Sequence, residues 1–450
     1  MKGFVPTPQN VVNLMVGKLF SESAPSKDDI VLDPGCGTGA FIEGVIRWCS
    51  KNGEPVPRIV GIESDPRHIP EAVNKFKDCP SVEIRHQDFL LGPRECYDYI
   101  IGNPPYVPIT GLTEAEKSTY RGLFKTAQGR FDLYILFYEQ AMKSLKRDGR
   151  LVFITPEKFM YVATASKLRE MLGRKQVVEI DMIDEETFGD LTTYPTITTV
   201  DTRPKIADTR VIFRDGRVED VRLPSDGQSW LPKINGVVKQ KRTTVLGDIA
   251  IRVSCGVATG ADSVFVRKAR DLSPELKVFA YPTISGRELM ARDLPSTAYS
   301  MLIPYDKDGE LLHEGRLSSL KGYLMRPDNL KKLKGRTCVA RKPWYAFHET
   351  PPLTDILRPK ILCKDITAKS QFWADKEGSI VPKHSVYYIV PKNPAYIDRL
   401  CEYLNSREVS AWIEAHCQRA ANGFLRLQSS VLKNIPIPNE VISPQEGEAQ

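Results

Sequence analysis

The feature that most constrains the fold is a recurrence of short apolar runs, separated by stretches with helical spacing. Residues 29–33, 58–63, 81–85, 97–102 and 150–155 form five such runs, and 177–182 and 196–200 two more. Between them lie segments such as 131–145, where aromatic and aliphatic residues recur every three or four positions. Strand-sized runs alternating with helix-period segments are the pattern of a mainly parallel α/β sheet. The turn Lys146-Arg147-Asp148-Gly149 reads as a helix exit leading into the fifth strand. From about residue 204 charged residues and short turns break the rhythm, and the remainder reads as a separate, less regular α+β unit. The boundary is expected near 225–240, with Leu223-Pro224-Ser225-Asp226-Gly227 as a linker. This gives a first domain over 1–230, a second over 241–437 and a polar, acidic tail, 438–450, expected to be disordered.

Charge separates the two parts. Residues 1–200 hold 24 Lys+Arg against 27 Asp+Glu and the remainder 39 against 29, so the formal excess of +7 resides in the second part. A polyanion is the natural partner of such a surface, although a solvated Lys-rich surface reads the same way. The nine cysteines are scattered, odd in number and never spaced C-x-x-C, so neither a disulfide framework nor a metal site is expected. No apolar run approaches the roughly 20 residues of a bilayer span, and the start lacks a secretory apolar core. A cytoplasmic monomer with no membrane partner is expected.

Chemistry concentrates at the ends of the apolar runs. Asp33-Pro34-Gly35-Cys36-Gly37-Thr38-Gly39 closes the first and opens a helix at Ala40. Glycines there let backbone approach a ligand at the strand end, where α/β sheets bind. Glu63, followed by Ser64, ends the second run thirty residues later, placed to accept from both hydroxyls of a ribose. Asp88-Phe89 follows the third, offering an acceptor for an adenine amine and an apolar face beside its ring. Together these fit a nucleoside cofactor.

Asn103-Pro104-Pro105-Tyr106, at the end of the fourth run, is the decisive loop. Two prolines stiffen it and remove two backbone donors. The Asn103 side-chain oxygen and the Pro104 carbonyl can both accept from one planar NH2 group. Such an amine is a poor nucleophile because its lone pair is delocalised. Two acceptors drawing its hydrogens out of plane aim that lone pair at an electrophile, so positioning carries the catalysis and no strong base is required. Tyr106 offers a ring face for a base.

These motifs, in this order, resemble the gamma-class, TaqI-type adenine-N6 DNA methyltransferases over nearly the whole chain. The resemblance implies a Rossmann-like class I methyltransferase sheet followed by a C-terminal α+β DNA-recognition domain. It implies S-adenosyl-L-methionine as cofactor, held by Thr7, Pro8, Asp33, Gly35, Cys36, Gly37, Glu63, Ser64, Asp88, Phe89 and Asn103. Asn103, Pro104, Pro105 and Tyr106 are then catalytic, and Phe188, with Tyr194 as its rival, packs against a base extruded from duplex DNA. Phe131-Asp132-Leu133-Tyr134 and Thr155-Pro156-Glu157-Lys158-Phe159 also match family segments. In the second part, residues 254–266, Arg341-Lys342-Pro343-Trp344-Tyr345, Arg358-Pro359-Lys360-Ile361-Leu362 and Leu404-Asn405-Ser406 resemble the TaqI-type recognition domain. Arg and Lys among Trp344, Tyr345 and Trp373 suit phosphate and groove contacts, although each aromatic taken singly is better read as core. The implied function is site-specific adenine methylation in a restriction-modification system, which allows a separate cognate restriction endonuclease with the same target. Glutamine methylators and guanine-N2 rRNA methylators share the proline loop. Against them stand the Thr7-Pro8 segment and the basic second part, and an inactive recognition subunit would show a broken loop.

Overall fold

The computed structural model describes residues 5–184, 194–204, 207–236, 244–290, 293–419 and 424–442. It divides into two compact units, Met1–Val238 and Lys239–Gln450.

The first unit is built on β1 (Ile30–Asp33), β2 (Arg58–Glu63), β3 (Val82–His86), β4 (Tyr97–Gly102), β5 (Leu145–Pro156), β6 (Lys175–Met182), β7 (Pro195–Pro204), β8 (Thr209–Ile212) and β9 (Val218–Val221). They form one sheet in the order β3-β2-β1-β4-β5-β7-β6-β8-β9, with β7 and β9 antiparallel to the rest. The helices that matter for the site and its support are α1 (Gln9–Leu19), α2 (Ala40–Asn52), α3 (Ile69–Phe76), α4 (Glu114–Leu123), α5 (Leu133–Ser144) and α6 (Ser166–Gly173). Strand side chains alternate between two cores, as the period of two requires. Val31, Ile59, Ile101 and Val152 pack with α1 and α2, while Leu32, Val60, Ile100 and Leu151 pack with α5 and α6.

Helix α1 lies close to α2 because Gly44 has no side chain; a Cβ there would meet Val12 at 2.5 Å. Ion pairs pin its far end to the sheet. Lys18 pairs with Glu179 and Asp181, and Arg150 reaches the Lys18 carbonyl at 3.1 Å while bonding Asp201 at 2.8 Å.

Several expectations change. Residues 146–149 do follow a helix end, since α5 stops at Ser144, but β5 already starts at Leu145 and the turn is an irregularity inside it, where the register jumps from Tyr97↔Leu145 to Tyr99↔Arg150 and Asp148 takes φ 64°. The sheet does not stop at residue 204, because β8 and β9 extend it. Nor is 223–227 a linker. Arg169 donates to the carbonyls of Gly227 and Gln228 at 2.8 Å, and Trp230, fully buried, packs edge-on to Phe159 at 5.9 Å.

The second unit contains, among the described residues, four small sheets. The central one runs in the order Ala250–Cys255, Val386–Pro391, Lys360–Lys364, Phe372–Asp375, all antiparallel. It separates two cores: Leu362, Trp373 and Tyr388 face one, and Ile361, Phe372 and Ile389 the other. Trp373 and Tyr345 are thus core residues, and Trp344 is half-buried with its indole donating to Glu314 at 3.3 Å. The Asn405 side chain brackets the backbone of Phe372, accepting at 3.0 Å and donating at 2.9 Å, and Ser406 caps the next helix. Residues Asn439–Ile442 form a helical turn where disorder was expected; 443–450 lie outside the described residues. Among the described residues no helix is long and apolar enough to cross a membrane.

Candidate active site

In an open α/β sheet a crevice opens where the strand order reverses. Here that point lies between β1 and β4, and Asp33 and Asn103 leave the sheet side by side. A cleft of about 690 Å³ occupies it, walled by the Val5-Pro6-Thr7 segment, the turn after β1 and the ends of β2, β3 and β4. That volume suits a nucleoside-sized ligand.

Asn103 is held in the cleft by its amide nitrogen, which donates to the Val5 carbonyl and the Thr7 hydroxyl, both at 3.1 Å. A carbonyl only accepts, so the nitrogen must face Val5 and the amide orientation is determined. The Oδ1 atom then points away, buried and without a partner among the described residues. An unsatisfied buried acceptor costs about 1–3 kcal/mol, which a ligand donor would relieve. Pro105 lines the cleft and Pro104 is buried behind it. Tyr106 sits outside the cleft wall, its hydroxyl donating to the Ile154 carbonyl at 3.3 Å and its ring edge-on to Tyr134 at 6.2 Å.

Glu63 is held by two backbone amides, Gly37 at 2.8 Å and Asp65 at 2.7 Å. A carboxylate has about four acceptor positions, so a ligand diol still finds two. Asp88 commits Oδ1 to the amides of Leu90 and Leu91, at 2.8 and 3.3 Å. Phe89 is buried against Phe137 with ring centroids 5.5 Å apart.

Of the residues anticipated for the cofactor, Thr7, Gly35, Cys36, Glu63, Ser64, Asp88, Phe89 and Asn103 share the cleft. Pro8, Asp33 and Gly37 stand behind its wall: Pro8 starts α1, and the Gly37 amide orients Glu63. Asp33 is fully buried and burial, reinforced by nearby Glu63, pushes its carboxyl up to about 8 against the pull of the Gly35 amide. Burial likewise raises the Cys36 thiol well above the usual range, so it is an inert wall. Phe188 lies outside the described residues. Tyr194, its rival, has its ring 4.9 Å from the Arg214 guanidinium, which also binds Glu157 at 2.8 Å.

The cleft has further walls that strand-end reasoning passes over. His68 stands near Glu63, its Nδ1 3.9 Å from the carboxylate. Leu133 and Phe137 come from α5, four residues apart, a spacing that could have flagged them. Leu112, Glu116 and Tyr120 come from α4 and its approach, a segment that carried no signal.

The residues fit S-adenosylmethionine. A Cβ at Gly35 would meet nothing within 4 Å, so the turn leaves open space for a ligand. The acceptors at Glu63 and Asp88 match a ribose diol and an adenine amine.

Known proteins resemble this chain in both parts. Residues 49–188, spanning Glu63, Asp88 and the 103–106 loop, match the Eco57I restriction-modification methylase family. Residues 308–437 match the TaqI-like C-terminal specificity domain. Type II methyltransferase M.PaeR7I of Pseudomonas aeruginosa is 27% identical over 396 residues, 80% of this chain and 67% of that protein. M.XhoI of Xanthomonas vasicola is 26% identical, over 78% of this chain and 70% of its own. The fold is shared with the Type IIL restriction-modification enzyme MmeI, solved in complex with DNA. The TM-score is 0.64 at 14% identity, covering 95% of this chain but 64% of that one. The chain thus carries an Eco57I-like restriction-modification methylase domain and a TaqI-like C-terminal specificity domain, and these relatives are Type II methyltransferases, which together imply S-adenosylmethionine as its cofactor.

Proposed function

We propose that this chain methylates N6 of an adenine flipped out of duplex DNA, as the site-specific modification enzyme of a restriction-modification system. The observation that carries the reading is the Asn103 amide: its nitrogen is tied down by Val5 and Thr7, and its buried Oδ1 is left to receive a donor. When bound, S-adenosylmethionine supplies an electrophilic methyl on a sulfonium. Asn103 Oδ1 and the Pro104 carbonyl accept the two hydrogens of the target amine. That draws the nitrogen toward tetrahedral geometry and frees its lone pair for attack. Tyr106, its ring held by the Ile154 carbonyl and by Tyr134, presents a face on which the extruded base stacks, an interaction worth about 1–3 kcal/mol. Flipping costs a few kcal/mol, so such a face returns a large part of it. Adenine in DNA, rather than glutamine or guanine, is favoured by the TaqI-like specificity domain and the basic second part. A restriction endonuclease reading the same sequence is the matching partner in the cell.

The test is transfer of labelled methyl to unmethylated duplex DNA followed by nucleoside analysis. N6-methyladenine is expected; labelled cytosine, RNA or protein as the sole product refutes the reading.

A further inference from the structure

Helix α4 lies between the 103–106 loop and α5 in the chain, outside every strand end that drew attention to the cleft. It is a self-sufficient helix at its start, with a reciprocal Thr113–Glu116 capping box. Its remaining surface is mostly exposed, and Tyr120 is its one buried residue. Glu116 and Tyr120 are four apart on the helix, which brings them to one side, and Leu112 lies just before its cap. All three line the cleft, together with Asp88 and Phe89.

The phenol of Tyr120 stands at the cleft in a residue only 5% exposed. Buried tyrosines normally place that hydroxyl against an acceptor, and a ligand in the cleft can supply one. Burial and the carboxylates of Asp88 and Glu116 push the phenol up to about 12, so at neutral pH it is a donor. Asp88, lining the same cleft, is an acceptor. A donor and an acceptor close together form a pattern that can be matched by a flat heterocycle carrying an amine next to a ring nitrogen.

We infer that Tyr120 is a cofactor-binding residue whose hydroxyl donates to the adenine ring nitrogen flanking the amine that Asp88 accepts, so that α4 selects the base of the cofactor. This rests on the reading that Asp88 holds that amine. Guanine would set a carbonyl against the Asp88 carboxylate, and hypoxanthine likewise, so both are rejected by the pair.

The experiment is calorimetric titration of the full chain with S-adenosylhomocysteine and with its 1-deaza and 7-deaza forms, for wild type, Tyr120→Phe and Asp88→Ala. Tyr120→Phe keeps the ring and its packing, so thermal stability without ligand should stay at the wild-type value. Affinity for S-adenosylhomocysteine should fall about 3- to 10-fold, the size of one neutral hydrogen bond. One of the deaza forms should lose the same factor on wild type and nothing further on Tyr120→Phe, because both changes remove the same hydrogen bond. Wild-type affinity in Tyr120→Phe, with Asp88→Ala weakened, overturns the role of Tyr120 and leaves the adenine at Asp88. Losses from Tyr120→Phe and from both deaza forms that simply add also overturn it. If neither variant changes affinity, the adenine is not at this end and the inference falls with that assignment.

Discussion

In the first unit a single nine-stranded sheet brings the ends of β1 to β4 to one edge, whereas in the second the described strands are divided among four sheets of two to four. The first arrangement makes a site out of sequence order. Each parallel strand delivers its last residues to the same edge, so Glu63, Asp88 and Asn103 share a cleft although they are far apart in the chain. The second arrangement makes a surface. Its aromatic residues close two cores.

The sharpest test of where one unit ends is Trp230. It is fully buried against Phe159, its indole donates to the Pro224 carbonyl at 3.0 Å, and its amide bonds the Met160 carbonyl at 2.8 Å. Trp230→Ala should destabilise the first unit by about 3–5 kcal/mol, seen as a lower denaturant midpoint. An unchanged midpoint would return 223–230 to the status of a linker.

Asn103→Ala should lower single-turnover methylation by about 10² to 10³, the loss typical of one preorganised polar contact to a reacting group. Cofactor affinity, measured by titration with S-adenosylhomocysteine, should stay within about threefold, since Glu63 and Asp88 remain. Equal loss of both would mean that Asn103 chiefly holds the Val5–Thr7 wall in place.

Much of the first site is legible in the sequence. The strand-end acids and the 103–106 loop are found because parallel strands and their helices impose a readable alternation. What escapes has physical reasons. Strands β8 and β9 carry Arg210, Glu219 and Asp220 at the sheet edge, where solvent exposure removes the apolar signature. The fit of Asn103 to Val5 depends on two segments 98 residues apart, which no local pattern encodes. In the second unit the two-residue strands at Thr244–Val245 and Gln418–Arg419 are too short for any period to register.

The same contrast between core and surface sorts the second-unit cations. Lys331, Lys332 and Lys334 are carried on an exposed helical stretch, while Arg336, two residues on, donates to the carbonyls of Thr259 and Trp344 at 2.8 and 2.6 Å. Replacing the three lysines together by Gln should weaken DNA binding and reduce the slope of log K against log salt, by about 0.9 for each phosphate no longer neutralised. Arg336→Gln should instead lower stability and leave that slope alone. If the triple variant keeps the wild-type slope, these lysines are solvated charges that touch no phosphate.

The last effect concerns Asp33, whose buried carboxyl is raised from 3.8 to about 8 by desolvation and by nearby Glu63. Above about pH 4 the unfolded chain releases this proton, while the folded chain keeps it until about pH 8. The folded state therefore binds more protons in that window, and stability declines as pH rises through it. Asp33→Asn removes the titration and keeps the size. Without cofactor, the gap between variant and wild-type denaturation midpoints should shift steadily in favour of the variant from about pH 4 to about pH 8, then stop changing. Other groups titrate alike in both proteins, so the difference isolates Asp33. Parallel curves across that range would show that Asp33 is ionised in the fold, held by a compensating charge at the head of the cleft.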